Sequence, residues 1–332
     1  MLGVFKRELS LQLGLFKEAQ IQQIHIGGGT PSSAPQQFWV DFFAFMKEKG
    51  VFKNKPSFTF ECNVEDIKPE LLTLLQENGV SRISLGVQSL DDDLLRKLNR
   101  KHNAQQALKA IDEVKSYGFE CNIDYLRLKH PSFWSGLETL LPWAPEHWSI
   151  FPLVPPENSS FDAHEFPDLT AFSRLQSILS DCGYEHYESN HFARKGHFNK
   201  TNFYYLHHQA VINIGPAAVG FKPPAKRLIN ASSVETYLSE LSNCIQQVEN
   251  LNRHDLKLEW IMNRLRTKEG LCKATLSSFF DEKGQKKLAN FFRHKFAHLS
   301  QEDESHYRLT EAGLFYYEHI LTELVDELSD QI

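Results

Sequence analysis

The stretch Ile24-His25-Ile26-Gly27-Gly28-Gly29-Thr30-Pro31 decides how this chain is to be read. A short apolar run enters three consecutive glycines and leads toward a helix, the pattern of strand, glycine loop, helix. Without a Cβ, glycines let backbone N–H groups approach a ligand that any other residue would push away. The helix carries its own start signal. Ser33-Ala34-Pro35-Gln36 reads as a capping box with Pro35 in the first turn. Phe38, Trp39, Phe42, Phe43 and Met46 then recur at helical spacing, and Gly50 ends the run. A plain tight turn also looks like this, so the neighbouring sequence has to decide.

Outward from this point the unit repeats. Strands are predicted over 23–26, 57–61, 82–86, 120–124 and 148–151, with amphipathic helices between them. One helix covers 69–78, opened by Pro69 and closed by Gly79. Another covers 104–117, capped by Asn103 and closed by Gly118. This alternation predicts an α/β fold with a parallel sheet, open or barrel-like, and right-handed crossovers. After Phe151 the pattern changes. Pro152, Pro155 and Pro156 break regular structure, and 183–194 alternate as one extended strand. From about Ser233 the chain reads as mainly helical. Tyr307-Arg308-Leu309-Thr310 reads as a short strand, with Thr310 capping a final helix through Leu328. The predicted organisation is a barrel core over 1–165, an extension with extended strands over 166–234, and a helical, winged-helix-like domain over 235–332.

The bulk numbers narrow the function. The 332 residues are 41% apolar, enough for one large domain and a smaller one. A net charge of −6 without a dense basic stripe argues against a nucleic-acid partner. No run of roughly 18 apolar residues predicts a transmembrane segment. The amphipathic start, with Lys6, Arg7 and Glu8, is not a signal peptide. Cys62, Cys121, Cys182, Cys244 and Cys272 are scattered, which fits a reducing cytoplasm and offers no local metal-chelating motif.

In a parallel barrel the ligand sits at the carboxyl ends of the strands. Those ends here carry residues 27–30, Glu61 with Asn63, Gln88 with Ser89, and Asp124, and Arg100 follows the third strand. Singly, Ser89 reads as a cap for a helix at Asp91, and Glu61 and Asp124 as surface termini. Together they suggest one mouth for a polar, amino-acid-like or nucleoside ligand.

At this point the motifs resemble a known family. Gly27-Gly28-Gly29-Thr30-Pro31-Ser32, Glu61-Cys62-Asn63, Ser84-Leu85-Gly86-Val87-Gln88-Ser89, Asn99-Arg100 and Asn122-Ile123-Asp124 follow in order. They resemble the radical S-adenosylmethionine (SAM) proteins related to oxygen-independent coproporphyrinogen III oxidase, nearest the HemW-type heme chaperone branch. Ser149-Ile150-Phe151-Pro152-Leu153, Tyr187-Glu188, the segment from Asn190 to Arg194, Leu265-Arg266-Thr267-Lys268-Glu269-Gly270 and Leu309-Thr310 extend the likeness to almost the whole chain. The resemblance implies a (β/α) radical SAM barrel acting in porphyrin or heme metabolism. Gly28, Gly29 and Thr30 would take the amino-acid end of SAM. Glu61, Gln88, Arg100 and Asp124 match positions that contact SAM in the oxidase branch. An arginine suits a carboxylate, and Asp or Glu suits an ammonium or a ribose hydroxyl. The implied partners are SAM, a tetrapyrrole and a heme-accepting protein.

The chain also departs from the family. The CxxxCxxC ligands of the 4Fe-4S cluster are absent, and Met1 falls inside what resembles the first barrel helix. A partial barrel missing its first strand is therefore expected, with 23–26 as an exposed edge. The expectation is that Met1 is not the natural start or that the gene is decaying. Cys62 and Cys121 read as inert buried thiols. The family's HNxxYW becomes Thr201-Asn202-Phe203-Tyr204-Tyr205-Leu206, and its GAGAHS becomes Gly215-Pro216-Ala217-Ala218-Val219-Gly220. Its YGLP loop becomes Arg127-Leu128-Lys129-His130. His197, His207 and His208 are substitute heme ligands or solvated surface histidines. In a complete family member the cluster's electron cleaves SAM to a 5′-deoxyadenosyl radical. The oxidase branch then decarboxylates a propionate, whereas the chaperone branch delivers heme. A cluster-free SAM- or heme-binding scaffold and a decayed remnant are the alternatives.

Overall fold

The computed structural model describes residues 1–16, 20–128, 130–153, 168–239 and 245–328. Lys129, Pro155, Pro156, Cys244 and the predicted boundary at 165 lie outside them. The chain forms two compact units, one of 21–47 with 51–199, the other of 1–20 and 48–50 with 200–332.

The chain opens with α1 (Leu2–Leu15), which belongs to the second unit. The first unit then alternates β1 (Gln23–Ile26), α2 (Gln36–Glu48), β2 (Ser57–Asn63), α3 (Pro69–Glu77), β3 (Arg82–Gln88), α4 (Asp92–Lys97), α5 (Ala104–Ser116), β4 (Glu120–Arg127), α6 (Pro131–Leu140) and β5 (His147–Pro152). It ends with α7 (Leu169–Asp181), β6 (Tyr184–Glu188) and β7 (His191–Arg194). These strands form one curled seven-stranded half-barrel in the order β1-β2-β3-β4-β5-β7-β6. The first five run parallel, and β7 is antiparallel to β5 and to β6. All five strands predicted in this half form, and β1 lies at an edge as expected.

Strand side chains alternate between faces, and here the alternation separates two chemistries. Phe58 and Phe60 of β2, Ile83, Leu85 and Val87 of β3, Ile123 and Tyr125 of β4, and Trp148 and Ile150 of β5 are all buried. Trp39 and Phe43 of α2 meet Phe60 and Phe58 at ring-centroid distances of 5.1 and 5.9 Å. The intervening positions are Thr59, Glu61, Asn63, Ser84, Gly86, Gln88, Asn122, Asp124, His147 and Ser149. A parallel sheet usually buries apolar residues on both faces, so a polar inner face marks where a ligand belongs.

The helix signals fared unevenly. Asn103 caps α5 in a full capping box, its Oδ1 accepting from Gln106 N at 2.9 Å while Gln106 Oε1 accepts from Asn103 N at 2.9 Å. Ser33 does not cap α2. It ends a 3₁₀ turn (Pro31–Ser33), and its hydroxyl donates to Thr30 O at 2.8 Å. Pro35 holds Ala34 extended, which separates Ser33 from the helix. The single strand expected over 183–194 is a hairpin of β6 and β7. Glu188 folds the turn by accepting from Ser189 Oγ and Asn190 N, each at 3.0 Å.

The second unit continues with α8 (Lys200–Leu206), β8 (Val219–Lys222), β9 (Lys226–Asn230), α9 (Val234–Ser239) and β10 (Ile245–Asn250). Then follow α10 (Arg253–Leu265), β11 (Leu271–Cys272), α11 (Lys273–Phe279), α12 (Glu282–Asn290), β12 (Ser300–Glu302), β13 (His306–Leu309), α13 (Glu311–Phe315) and α14 (Tyr317–Glu327). Strands β10-β9-β8 make one antiparallel sheet and β11-β13-β12 another. Trp260, Ile261, Leu276, Leu288, Phe292, Tyr307 and Leu324 share one core. Thr310 caps α13 rather than one long final helix, because the chain leaves helical geometry at Tyr316 before α14 begins. The α1 helix is fastened through Glu8, which accepts from Gly215 N at 2.9 Å, from Asn230 Nδ2 at 2.5 Å and from the Tyr237 hydroxyl.

Candidate functional site

The polar inner face opens into a cavity of about 270 Å³. Its lining includes Gly28, Gly29, Thr30, Glu61, Gln88, Arg100 and Asp124, which are all the site residues expected from sequence. Asn63, Ser84 and Gly86 complete its polar wall. Each residue arrives for a local reason. Gly28 adopts φ +99°, open to glycine and strained for other residues, as the chain turns out of β1. Glu61 and Asn63 face inward from the end of β2. Gln88 ends β3 at φ +65°, a left-handed conformation rare for a residue with a Cβ. Asp91 caps α4 by accepting from Asp93 N and Leu94 N at 2.9 and 3.1 Å, and Ser89 Oγ accepts from Asp91 N at 3.0 Å. That short helix returns Arg100 toward the cavity, with Nη1 3.5 Å from Asn63 Oδ1.

The charges are arranged around a polar guest. Glu61 Oε1 lies 2.8 Å from His25 Nε2, and its Oε2 accepts from Gly28 N at 3.1 Å. Asp124 accepts from Ser84 Oγ at 3.0 Å and from Asn122 Nδ2 at 2.8 Å. Burial pushes the Asp124 carboxyl up to about 6, with the Glu61 charge adding to the rise and the Asn122 and Ser84 hydrogen bonds opposing it. Two carboxylates and one guanidinium thus face one small space. This set suits a ligand carrying both a carboxylate and a cationic or hydroxyl group.

A second cavity, of about 560 Å³, lies in the other unit against β10 and α10. Its Arg227 is already satisfied by Glu249 at 2.7 Å and by Glu259. It gathers none of the motif residues.

Sequence reasoning gave no role to His25, Ser84, Asn122 and Ser149, although its motifs contain them, and missed His147. The signal was there: Asn122/Asp124 and His147/Ser149 are polar pairs two residues apart on otherwise apolar strands. The three histidines considered for heme are not free surface groups. His197 Nδ1 is 2.9 Å from Glu120 Oε1, His207 Nδ1 is 2.7 Å from Phe203 O, and His208 Nε2 is 3.1 Å from Glu259 Oε2.

The described cysteines, Cys62, Cys121, Cys182 and Cys272, do not fit an iron–sulfur cluster. Such a cluster needs several thiolates converging on one point. Burial pushes the Cys62 thiol well above its usual range and the Cys121 thiol up to about 12. Cys182 is exposed after α7, and Cys272 belongs to the other unit. Among the described residues, no group of three or more His, Cys, Asp or Glu could hold a metal ion. No described helix is long and apolar enough to cross a membrane.

Comparison with known proteins agrees with this fold. The family model for the radical SAM superfamily matches residues 6–129. The heme chaperone HemW of Lactococcus lactis is 28% identical over 229 residues, covering 62% of this chain and 58% of that protein. HemW of Haemophilus influenzae is 27% identical over 290 residues, covering 82% of this chain and 76% of that protein. The structure of coproporphyrinogen III oxidase (HemN) from Escherichia coli, a radical SAM enzyme, superposes with a TM-score of 0.80 at 18% identity, covering 97% of this chain and 82% of that one. At that identity the superposition speaks for the fold. With the ordered motifs, the half-barrel and these relatives in place, residues 6–129 carry a radical SAM domain, and the chain is a HemW-like radical SAM protein with the fold of HemN.

Proposed function

We propose that this chain binds SAM in the 270 Å³ cavity and acts in porphyrin or heme metabolism. One observation carries the SAM reading: seven residues from five separate motifs line one polar cavity at the carboxyl ends of the strands. Arg100 would receive the ligand carboxylate. Glu61 and Asp124 would receive its ammonium and ribose hydroxyls, and the turn at Gly28, Gly29 and Thr30 would let the backbone approach. In this superfamily SAM beside a reducing cluster is a radical source. The described cysteines do not fit that cluster, and the residues of this chain account for SAM binding alone. The names of the relatives, heme chaperone and coproporphyrinogen III oxidase, support a tetrapyrrole as the second small molecule and a heme-accepting protein as partner.

The same cysteine observation favours a second reading, a scaffold that binds SAM or heme without performing radical chemistry. Calorimetric titration with SAM and spectroscopic titration with hemin test both. Tight SAM uptake that falls on the order of tenfold or more in Arg100→Ala supports the cavity reading. Uptake indifferent to Arg100→Ala and Glu61→Gln refutes it. Hemin uptake without SAM uptake leaves only a heme-binding scaffold.

A further inference from the structure

Behind the cavity, the inner face continues as a connected set of polar side chains. Asn122 Nδ2 lies 2.6 Å from Ser84 Oγ and 2.8 Å from Asp124 Oδ1, a carboxylate that can only accept. The amide nitrogen therefore faces the cavity side, and Asn122 Oδ1 faces inward. His147 Nδ1 lies 2.5 Å from that oxygen, so Nδ1 carries the hydrogen. His147 Nε2 is then a lone pair and receives the Tyr187 hydroxyl at 2.7 Å. The Tyr187 oxygen accepts in turn from Asn199 N at 3.1 Å. Ser149 Oγ adds a second donor to Asn122 Oδ1 at 3.2 Å. Every group in this line has one available role.

His147 is 1% exposed, and Asn122 and Tyr187 are 5% and 4% exposed; none of the three lines the cavity. Burial holds the imidazole well below its ordinary range, consistent with one neutral tautomer. An amide does not pass protons along, so the line is a scaffold and not a proton wire. Buried polar groups of this kind are worth most when every member is satisfied.

We infer that His147, acting through Asn122, is a positioning residue that fixes the Asp124 carboxylate to receive a ligand's donor group. The inference rests on the cavity being a ligand site. The charged groups that line the cavity with Asp124 are Glu61 from β2, whose charge acts on it, and Arg100 after α4. His147 stands behind Asn122, with the His191 ring 5.4 Å from its own. If His147 is lost, the Asn122 amide is no longer pinned. Its hydrogen bond to Asp124 weakens, and the carboxyl titrates at higher pH.

The test uses the full chain as wild type, His147→Phe, His147→Gln and Tyr187→Phe. Two readouts are taken: the Asp124 carboxyl titration by carbon-13 NMR without ligand, and SAM affinity by calorimetry at neutral pH. His147→Phe is expected to raise the Asp124 midpoint by about one pH unit and to weaken SAM binding about tenfold. His147→Gln, whose amide can donate to Asn122 Oδ1, is expected to restore most of both. A folded His147→Phe protein with both readouts unchanged overturns the inference. So does a His147→Gln protein no closer to wild type than His147→Phe. Should His147→Phe not fold, Tyr187→Phe removes only the hydroxyl at Nε2. It is expected to move the midpoint the same way by a few tenths of a unit, and an unmoved midpoint overturns the inference. If wild type takes up no SAM, the cavity reading fails, and the ligand-free titration alone decides the positioning role.

Discussion

Gly27→Ala is the sharpest probe of how the glycine loop serves the cavity. A Cβ at Gly27 would lie 2.3 Å from Glu61 Oε1 and 2.6 Å from His25 Nε2, far inside any real contact. Both atoms are the far ends of flexible side chains, so the backbone can stay and Glu61 must swing away. That breaks the Glu61–His25 contact at 2.8 Å and the Gly28 N–Glu61 bond at 3.1 Å. His25 and Glu61 keep 31% and 34% of their side chains exposed, which discounts each lost interaction. The stability cost should then be only about 1 kcal/mol by urea denaturation. The cost to the site is larger, because the displaced carboxylate no longer meets the ligand. SAM affinity should fall about tenfold or more, the worth of a charge-assisted hydrogen bond. Gly14→Ala in α1 is the control: its Cβ would meet nothing within 4 Å, it stands outside the cavity lining, and it should bind as wild type does. In a double-mutant cycle, Gly27→Ala added to Glu61→Ala should cost little more, since the Glu61 clash has gone and the His25 ring, released from Glu61, can swing aside. Wild-type affinity in Gly27→Ala, or strict additivity in the cycle, would refute the reasoning.

Three further outcomes follow from the same structure. Gly313→Ala places a Cβ 2.0 Å from Leu299 O, a backbone atom that cannot swing aside, so it should cost about 3 kcal/mol in a denaturant titration; a loss no larger than that of Gly27→Ala would contradict this contrast. Glu8→Ala strands three buried donors, Gly215 N, Asn230 Nδ2 and the Tyr237 hydroxyl, and should cost about 3 kcal/mol in thermal unfolding. Glu8→Gln should cost less, because burial raises the Glu8 carboxyl and the uncharged form is the cheaper one to bury; equal losses would count against that account. The Asp124 carboxyl, raised to about 6 from 3.8, supports the fold most below about pH 4, and that support is lost as pH rises through about 6. Wild type should therefore lose stability relative to Asp124→Asn across that window, and parallel urea midpoints would sink the assignment.

What the sequence made legible was whatever repeats locally. The β2 to β5 strands alternate apolar and polar residues, and Asn103 stands three residues before Gln106, so strands and cap could be read without the fold. The Ser33 signal had the same form and failed, because Pro35 constrains the residue before it and cuts the box from its helix. The hairpin after Gly183 was hidden because Ser189-Asn190 interrupt an alternation that otherwise continues through β7. The anchoring of α1 lay beyond local reading altogether: the partners of Glu8 stand 207, 222 and 229 residues away along the chain. The cavity residues were found because strand ends are fixed positions in a parallel sheet. Their supports were overlooked because a lone His147 or Asn122 on a strand looks like an ordinary buried polar residue.

The polar inner face is a poor choice for stability alone. Thr59, Ser84, Asn122, His147 and Ser149 are each at most 7% exposed and sit where a parallel sheet would ordinarily place valine or isoleucine. Filling that space with apolar side chains would remove a network that is costly whenever one member loses its partner. A fold that keeps such a face intact from Glu61 to Tyr187 is explained by what the face holds in position, and the Asp124 carboxylate is the group on which its hydrogen bonds converge. On this argument the polar face predicts ligand uptake by this chain as it stands, while the described cysteines do not gather as cluster ligands. The two expectations can be tested separately, SAM uptake by calorimetry and radical chemistry by SAM cleavage.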